Sequence, residues 1–359
     1  MHLGGGGEMH RRLGILGVLV VALLFIASCG TSSSSATSSK KLVYFIFTGF
    51  AYPYFAPMAQ GVQAAAKYYP GMNIKIVSAN NSAPTEISQI KEAIAAGAKG
   101  IILNPVEESV TSAAQEAMNK GIPVITIDRD VSSPSARIAF IGDNDYTLGK
   151  EQTAYAIQYL ESHHVPTPYH VLIFEGTLGA STAEDRLKGA EEYLSPLESQ
   201  GKVQVIGVEP GNFATDTAQS LMTEELAKTT NIQLVICGND AMALGVITAL
   251  ESHGIKPGVQ TLVVGADAQP QSLDAIKAGT QLDTVTHSPY LEAFWAVEAM
   301  WNYLEYHIKP PASKFPNGDV LIPMQLVDAS NVNTFGAWGT PSTIPPLPYG
   351  KSSAHPATS

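Results

Sequence analysis

The sequence predicts an α/β protein of two similar lobes, each a parallel sheet covered by helices on both faces. Three observations carry that expectation. Short β-branched runs alternate with segments of helical period along most of the 359 residues. The runs are apolar throughout, the pattern of strands buried on both faces. In each half, moreover, an Asn and then an Asp stand just past the end of two such runs.

Strands are expected at 42–47, 74–77, 100–103, 123–127 and 138–141 in the first half. In the second half they are expected at 171–174, 203–208, 234–237, 261–264 and 282–286. Helical segments separate them. In one, Ile87, Ile90 and Ile94 form a single apolar stripe, with Glu86, Lys91 and Glu92 placed off it. Pro84 and Gly97 stand where start and stop signals belong.

The repeat is specific. Ile101-Ile102-Leu103 runs into Asn104, and Val124-Ile125-Thr126-Ile127 runs into Asp128. Leu234-Val235-Ile236-Cys237 runs through Gly238 into Asn239, and Leu262-Val263-Val264-Gly265-Ala266 runs into Asp267. In open α/β sheets ligands bind in the crevice beyond the carboxyl ends of the strands, so two facing lobes would enclose a cleft. The same four residues would serve equally as caps of the following helices.

The chain is expected to open on an export signal. Arg11 and Arg12 precede an apolar run at 13–27, shorter than the roughly 18 residues of a spanning helix. Ile26-Ala27-Ser28-Cys29 closes it and resembles a bacterial lipobox, which implies cleavage before Cys29 and lipid on its sulfur. Residues 1–28 are therefore expected to be a lipoprotein signal peptide and 29–41 a lipidated, Ser/Thr-rich tether. Met9 directly precedes the basic pair and is an alternative start.

From Cys29 on there are 331 residues, more than one ordinary core and suited to two domains. Hydrophobic residues make up 45% and charged residues 15%, as in a folded globular protein. The formal net charge of −11 becomes −12 without Glu8, Arg11 and Arg12. An acidic chain with no basic run is poorly suited to a polyanion, so no nucleic-acid partner is expected. Cys237 sits in an apolar run and reads as a buried, inert thiol.

Chemistry of binding is better represented than chemistry of catalysis. Phe50, Tyr52, Tyr54 and Phe55 cluster around Pro53 after the first strand, in an extended loop able to present rings to a cleft. Arg129 and Arg186 offer fixed forks of donors for adjacent ligand oxygens. Gly176-Thr177-Leu178-Gly179 lacks the Lys-Ser/Thr ending of a phosphate loop. None of the nine histidines lies in a zinc-binding spacing, and His287-Ser288 are neighbours on one strand, facing opposite sides. No catalytic residue, metal or cofactor is expected. Beyond Gly336 the Pro- and Ser-rich chain, 336–359, is expected to be a loose tail.

Between about Leu42 and Val327 the chain resembles the ribose-binding-protein family, the type I solute-binding components of bacterial ABC sugar importers. The resemblance rests on Tyr52-Pro53-Tyr54-Phe55, Leu103-Asn104-Pro105, Gly121-Ile122-Pro123-Val124, Asp128-Arg129, Asn239-Asp240-Ala241-Met242-Ala243-Leu244-Gly245 and Val264-Gly265-Ala266-Asp267, in that order. It implies a type I periplasmic binding protein fold: two Rossmann-like lobes joined by a three-segment hinge near Gly142, His287 and Pro323. The N-terminal lobe would comprise 42–142 plus 288–323, the C-terminal lobe 143–287 plus 324–335.

The resemblance also implies roles. Tyr54 and Phe55 would stack on one face of a sugar ring and Phe213 on the other. Asn104, Asp128, Arg129, Arg186, Asn239 and Asp267 would bind its hydroxyls. Tyr52 stands where ribose binders carry Asn, and His287 where they carry Gln, so a related pentose, hexose, sugar alcohol or cyclitol fits as well as ribose. The implied protein is a monomer outside the cytoplasmic membrane, held by lipid on Cys29, that delivers a monosaccharide or polyol to ABC permease subunits. A ligand-loaded sensor for a membrane receptor or histidine kinase, and a tethered glycan-processing enzyme, are the alternatives.

Overall fold

The computed structural model describes residues 40–356. The expected export signal, Cys29 and most of the tether lie outside the described residues. The first strand, β1 (Lys41–Phe47), takes up the tether's last residue and shows why the chain forms layers. Val43, Phe45 and Phe47 point into one core, Tyr44 and Ile46 into another on the opposite face. Helices must then cover both faces.

They do so in strict alternation: α1 (Phe55–Ala66), β2 (Met72–Ser78), α2 (Ala83–Ala95), β3 (Gly100–Leu103), α3 (Thr111–Asn119), β4 (Val124–Ile127) and β5 (Ala139–Gly142). The chain then leaves for a second sheet through α4 (Asp145–Ser162), β6 (Tyr169–Glu175), α5 (Ser181–Ser199), β7 (Val203–Pro210) and α6 (Thr215–Lys228). That half continues with β8 (Leu234–Cys237), α7 (Asp240–Ser252), β9 (Leu262–Val264), α8 (Pro270–Ala278) and β10 (Asp283–Val285). A return crossing leads to α9 (Pro289–Tyr306), which packs beside α1, and to β11 (Asp319–Leu321); a third crossing leads to β12 (Leu326–Asp328).

The sheets run β11-β5-β4-β3-β1-β2 and β12-β10-β9-β8-β6-β7, the same order in both halves. All pairings are parallel except β10 with β12. In each sheet the order reverses beside its first strand, and at such a switch point the loops part to leave a crevice. The α/β fold of two parallel-sheet lobes is therefore the one expected. Ser82 caps α2 by accepting the Thr85 N–H, and Gly97 (φ +71°) lets the chain turn after it.

Glu86, off the apolar stripe of α2, is wholly buried, and its carboxylate accepts the Val106 N–H at 2.7 Å. One expectation needs correction. The stretch after Gly336 is not loose. The Trp338 N–H bonds the Ala268 carbonyl of the second lobe, while Ile344, Leu347 and Tyr349 are buried in the core under α1 and α9. The Trp295 indole donates to Pro345 O at 2.8 Å, and β13 (Thr343–Ile344) pairs with β14 (His355–Pro356). The tail is thus a fourth strand of chain between the lobes, fixed by apolar side chains whose spacing has no period to reveal them.

Candidate functional site

Loops at the carboxyl ends of both sheets converge on a cavity that is partly open to solvent. Tyr52, Tyr54, Phe55, Asp128 and Arg129 line it from the first lobe. Thr182, Arg186, Phe213, Asn239 and Asp267 line it from the second, and His287 lines it at the return crossing. Thr182, in the first turn of α5, carries no signal in the sequence.

Aromatic rings form opposite walls. Tyr54 meets Phe55 edge-on at 5.4 Å and lies 5.1 Å from the His287 ring. Its hydroxyl donates to Glu292 Oε2 at 3.1 Å, which fixes the ring. The Tyr52 hydroxyl accepts from the Asn81 amide at 2.9 Å. Across the cleft, Phe213 has the guanidinium groups of Arg129 and Arg186 at 5.4 and 6.0 Å from its ring centre. Phe213, Asp128 and Asp267 have φ of +55°, +59° and +107°. Strained backbone of this kind persists only where surrounding structure holds it, and it clusters at ligand sites.

The polar groups are pre-oriented. Arg186 Nε donates to Asp145 Oδ1 at 2.6 Å and its NH1 to Gly238 O at 2.6 Å, with Asp267 Oδ1 at 3.5 Å. Burial opposes its charge, but Asp145 and Asp267 outweigh that and keep the guanidinium protonated. Arg129 donates from NH1 to Val106 O at 2.9 Å, and its buried Nε has no hydrogen-bond partner among the described residues. Asn239 accepts the Met242 N–H at 3.0 Å, so it does cap α7 while its side chain also reaches the cavity. Burial pushes Asp267 up to about 7 against the pull of Arg186. Burial, then the Arg186 charge, pushes His287 down to about 4, leaving a neutral imidazole.

Asn104 is the one expected site residue outside the lining. It is fully buried; its Oδ1 accepts the Thr48 N–H and hydroxyl at 3.1 and 2.7 Å. Its amide donates to Ile127 O at 3.2 Å and Asp128 Oδ2 at 2.7 Å. With those bonds made, it orients Asp128 from behind. Asp143, Asp145 and Glu292 are further buried acids around the cavity that the sequence did not single out. The expected buried thiol at Cys237 is found: it has no exposure, and burial pushes its pKa up.

Contacts across the cleft hold the lobes together. The Glu108 N–H donates to Gly179 O at 2.9 Å, and the Asp130 N–H to Ser181 Oγ at 2.8 Å. Rings on both walls, two arginines and two carboxylates suit a compact, hydroxyl-rich molecule. No nucleophile–base pair is assembled among the described lining residues.

Comparison with known proteins places the fold in a family. The family model described as "Periplasmic binding protein domain" matches residues 43–307. A ribose import binding protein of Bacillus subtilis is 27% identical over 290 residues, covering 79% of this chain and 90% of that protein. A xylitol-binding protein of Mycolicibacterium smegmatis is 25% identical over 281 residues, covering 77% of this chain and 76% of that protein. Among solved structures, an ABC transporter solute binding protein from Bacillus halodurans with bound myo-inositol superposes with a TM-score of 0.74 at 24% identity. It covers 84% of this chain and 98% of that one.

Proposed function

We propose, from the premise that this chain belongs to the periplasmic binding protein domain family, that its cleft captures a monosaccharide or polyol and delivers it to an ABC importer. One observation carries the reading: one cavity is walled by rings and lined by Arg and Asp side chains from both lobes. The printed functions of the relatives, ribose import and xylitol binding, support the solute class.

Capture needs no chemistry. The closed state gains contacts from both lobes, so a ligand with those contacts shifts the population toward it by hinge closure. Tyr54, Phe55 and Phe213 cover the C–H faces of a ring. Asp128, Arg129, Arg186, Asn239 and Asp267 choose among epimers, because a misplaced hydroxyl leaves a buried polar group unpaired. Tyr52 and His287 would set the ligand apart from ribose by bulk and by donor count.

On this reading the protein works outside the cytoplasmic membrane, as a monomer tied by lipid on Cys29 and docked on permease subunits. No helix among the described residues is long and apolar enough to cross a membrane. Cys29→Ala should move the protein from the membrane fraction to the soluble one; continued retention would remove the lipid anchor from the account.

The reading is tested by thermal shift of the purified protein against pentoses, hexoses, polyols and cyclitols. A ligand present at a hundredfold its dissociation constant adds about 2.7 kcal/mol of stability. One or two compounds should raise the melting temperature, and Asp267→Ala should cut their calorimetric affinity tenfold or more, as loss of a charge-assisted bond worth about 1.5–3 kcal/mol requires. No shift with any of these compounds would move the ligand outside carbohydrates.

A further inference from the structure

Behind the cavity, the wholly buried ring of His287 turns its Nε2 toward three carboxylates at once. Glu292 Oε1 lies at 3.0 Å, Asp143 Oδ2 at 3.1 Å and Asp128 Oδ1 at 3.6 Å. The side chains of Asp143 and Glu292 have no solvent exposure, and those of His287 and Asp128 have 1% and 8%. These approaches are close but are not hydrogen bonds: His287 Nε2, Glu292 Oε1 and both Asp143 carboxylate oxygens have no hydrogen-bond partner among the described residues. Unpaired buried polar atoms are costly, and Nε2 and Glu292 Oε1, both buried and 3.0 Å apart, call for a common partner.

The spacing says what that partner is. Donor atoms held about 2.0–2.2 Å from one zinc-like ion at tetrahedral angles lie about 3.4 Å from each other. The three distances from Nε2 bracket that value, and the ligand atoms of Asp128, His287 and Glu292 all lie within 4.8 Å of one another. One imidazole nitrogen with carboxylate oxygens is a donor set for a divalent transition metal. We propose that Asp128, His287 and Glu292, with Asp143 beside them, form a binding site for one divalent transition-metal cation of the zinc class.

The surroundings are those of a metal-bound histidine. Asp267 Oδ1 lies 3.3 Å from Nδ1, the carboxylate that commonly backs such a ring. The Arg186 NH2 group lies 3.0 Å from the same nitrogen. That guanidinium can only donate, so Nδ1 accepts from it and Nε2 carries the ring proton. A cation on Nε2 moves the proton to Nδ1, where Asp267 accepts it once the Arg186 N–H turns away. Two positive charges from the ion balance most of the three carboxylates. Asp128 and His287 also line the cavity, so the ion has a route in through the cleft. His287 precedes α9 at the second crossing and Asp128 follows β4, so a bound ion would pin that hinge segment to the first lobe. Asp128 stands far from His287 and Glu292 in the chain, beyond the reach of any local spacing rule. The site stands whether or not the cleft takes a sugar.

The test uses chelator-treated, purified protein with no sugar present. Calorimetric titration with Zn²⁺ should give one equivalent bound, and Co²⁺ should give the intense visible bands of a tetrahedral site. Asp128→Asn and Glu292→Gln should each weaken Zn²⁺ binding tenfold or more in protein whose circular dichroism matches the parent. Absence of binding to the parent protein overturns the proposal. So does binding unchanged in both variants, which would place the ion elsewhere. Should the variants fail to fold, the parent protein still decides it: a weak, octahedral Co²⁺ spectrum overturns the proposal and a tetrahedral one supports it.

Discussion

Phe213 keeps its place on the cavity wall because residue 176 has no side chain. A Cβ on Gly176 would lie 2.0 Å from the Phe213 ring, far inside contact distance. The ring has no easy retreat, since Asn212 and Phe213 are both already held at positive φ, +56° and +55°. Gly176→Ala should therefore displace the ring and weaken capture of the cognate solute about tenfold by calorimetry; an unchanged dissociation constant would take Phe213 out of the site. The Gly176–Gly179 segment so gains a reason that has nothing to do with phosphate. At this scale the lining was more legible than its support. Asp128 and Asp267 could be picked out because each ends an apolar run at a sheet's carboxyl edge. Asn104 ends such a run too, and nothing local tells a residue that faces the cleft from one that holds its neighbour. Thr182 and Glu292 sit in helices with no distinguishing pattern, so only packing reveals them.

Among the elements, α2 and the tail do more than their patterns suggest. Glu86, near the start of α2, accepts the Val106 N–H, and the Val106 carbonyl in turn accepts from Arg129. The helix thus helps to aim a cavity arginine. Burial pushes Glu86 up to about 8, although the Val106 bond and the Arg129 charge pull the other way. A carboxyl raised in the folded state binds its proton there while the unfolded chain has released it. Its stabilising effect is whole below the unfolded value of about 4.5 and is lost as pH rises to about 8, by on the order of 4 kcal/mol. Glu86→Gln keeps an acceptor and cannot ionise. The melting temperature of the variant relative to the parent should rise steadily between pH 5 and pH 8.5; a constant difference would mean Glu86 does not titrate in that window. The tail makes its own claim. Ile344, Leu347 and Tyr349 are at most 8% exposed, and each such burial is worth about 1.5–3 kcal/mol. Ending the chain at Phe335 should lower the melting temperature by at least about 5 °C, and an unaffected transition would return the tail to the solvent. The strands were legible because burial on both faces makes them continuous apolar runs, and most helices because burial of one face imprints a period. The tail was not, because its anchors lie in irregular chain rich in Pro.

For the molecule as a whole the question is what closure costs and what holds it. Lobes joined by several crossings can open only by bending at the segments around Gly142, His287 and Pro323, with the tail from Phe335 to Ile344 laid across the same gap. Contacts made only when the lobes meet then act as a small ligand of their own, adding to whatever the solute contributes. The Asp130 N–H to Ser181 Oγ bond at 2.8 Å is such a contact, and it touches neither rings nor charged groups of the cavity. Apparent affinity equals intrinsic affinity scaled by the fraction of molecules able to close. Removing one hydrogen bond worth about 0.5–1.5 kcal/mol from the closed state alone should cost about two- to tenfold in affinity. Because the bond breaks when the lobes part, the loss belongs in the dissociation rate. Ser181→Ala should therefore release the bound solute two- to tenfold faster in a stopped-flow displacement experiment, with the association rate nearly unchanged. A dissociation rate equal to that of the parent protein would mean that release does not require this edge of the cleft to open, and the path of the solute would have to be sought on the hinge side.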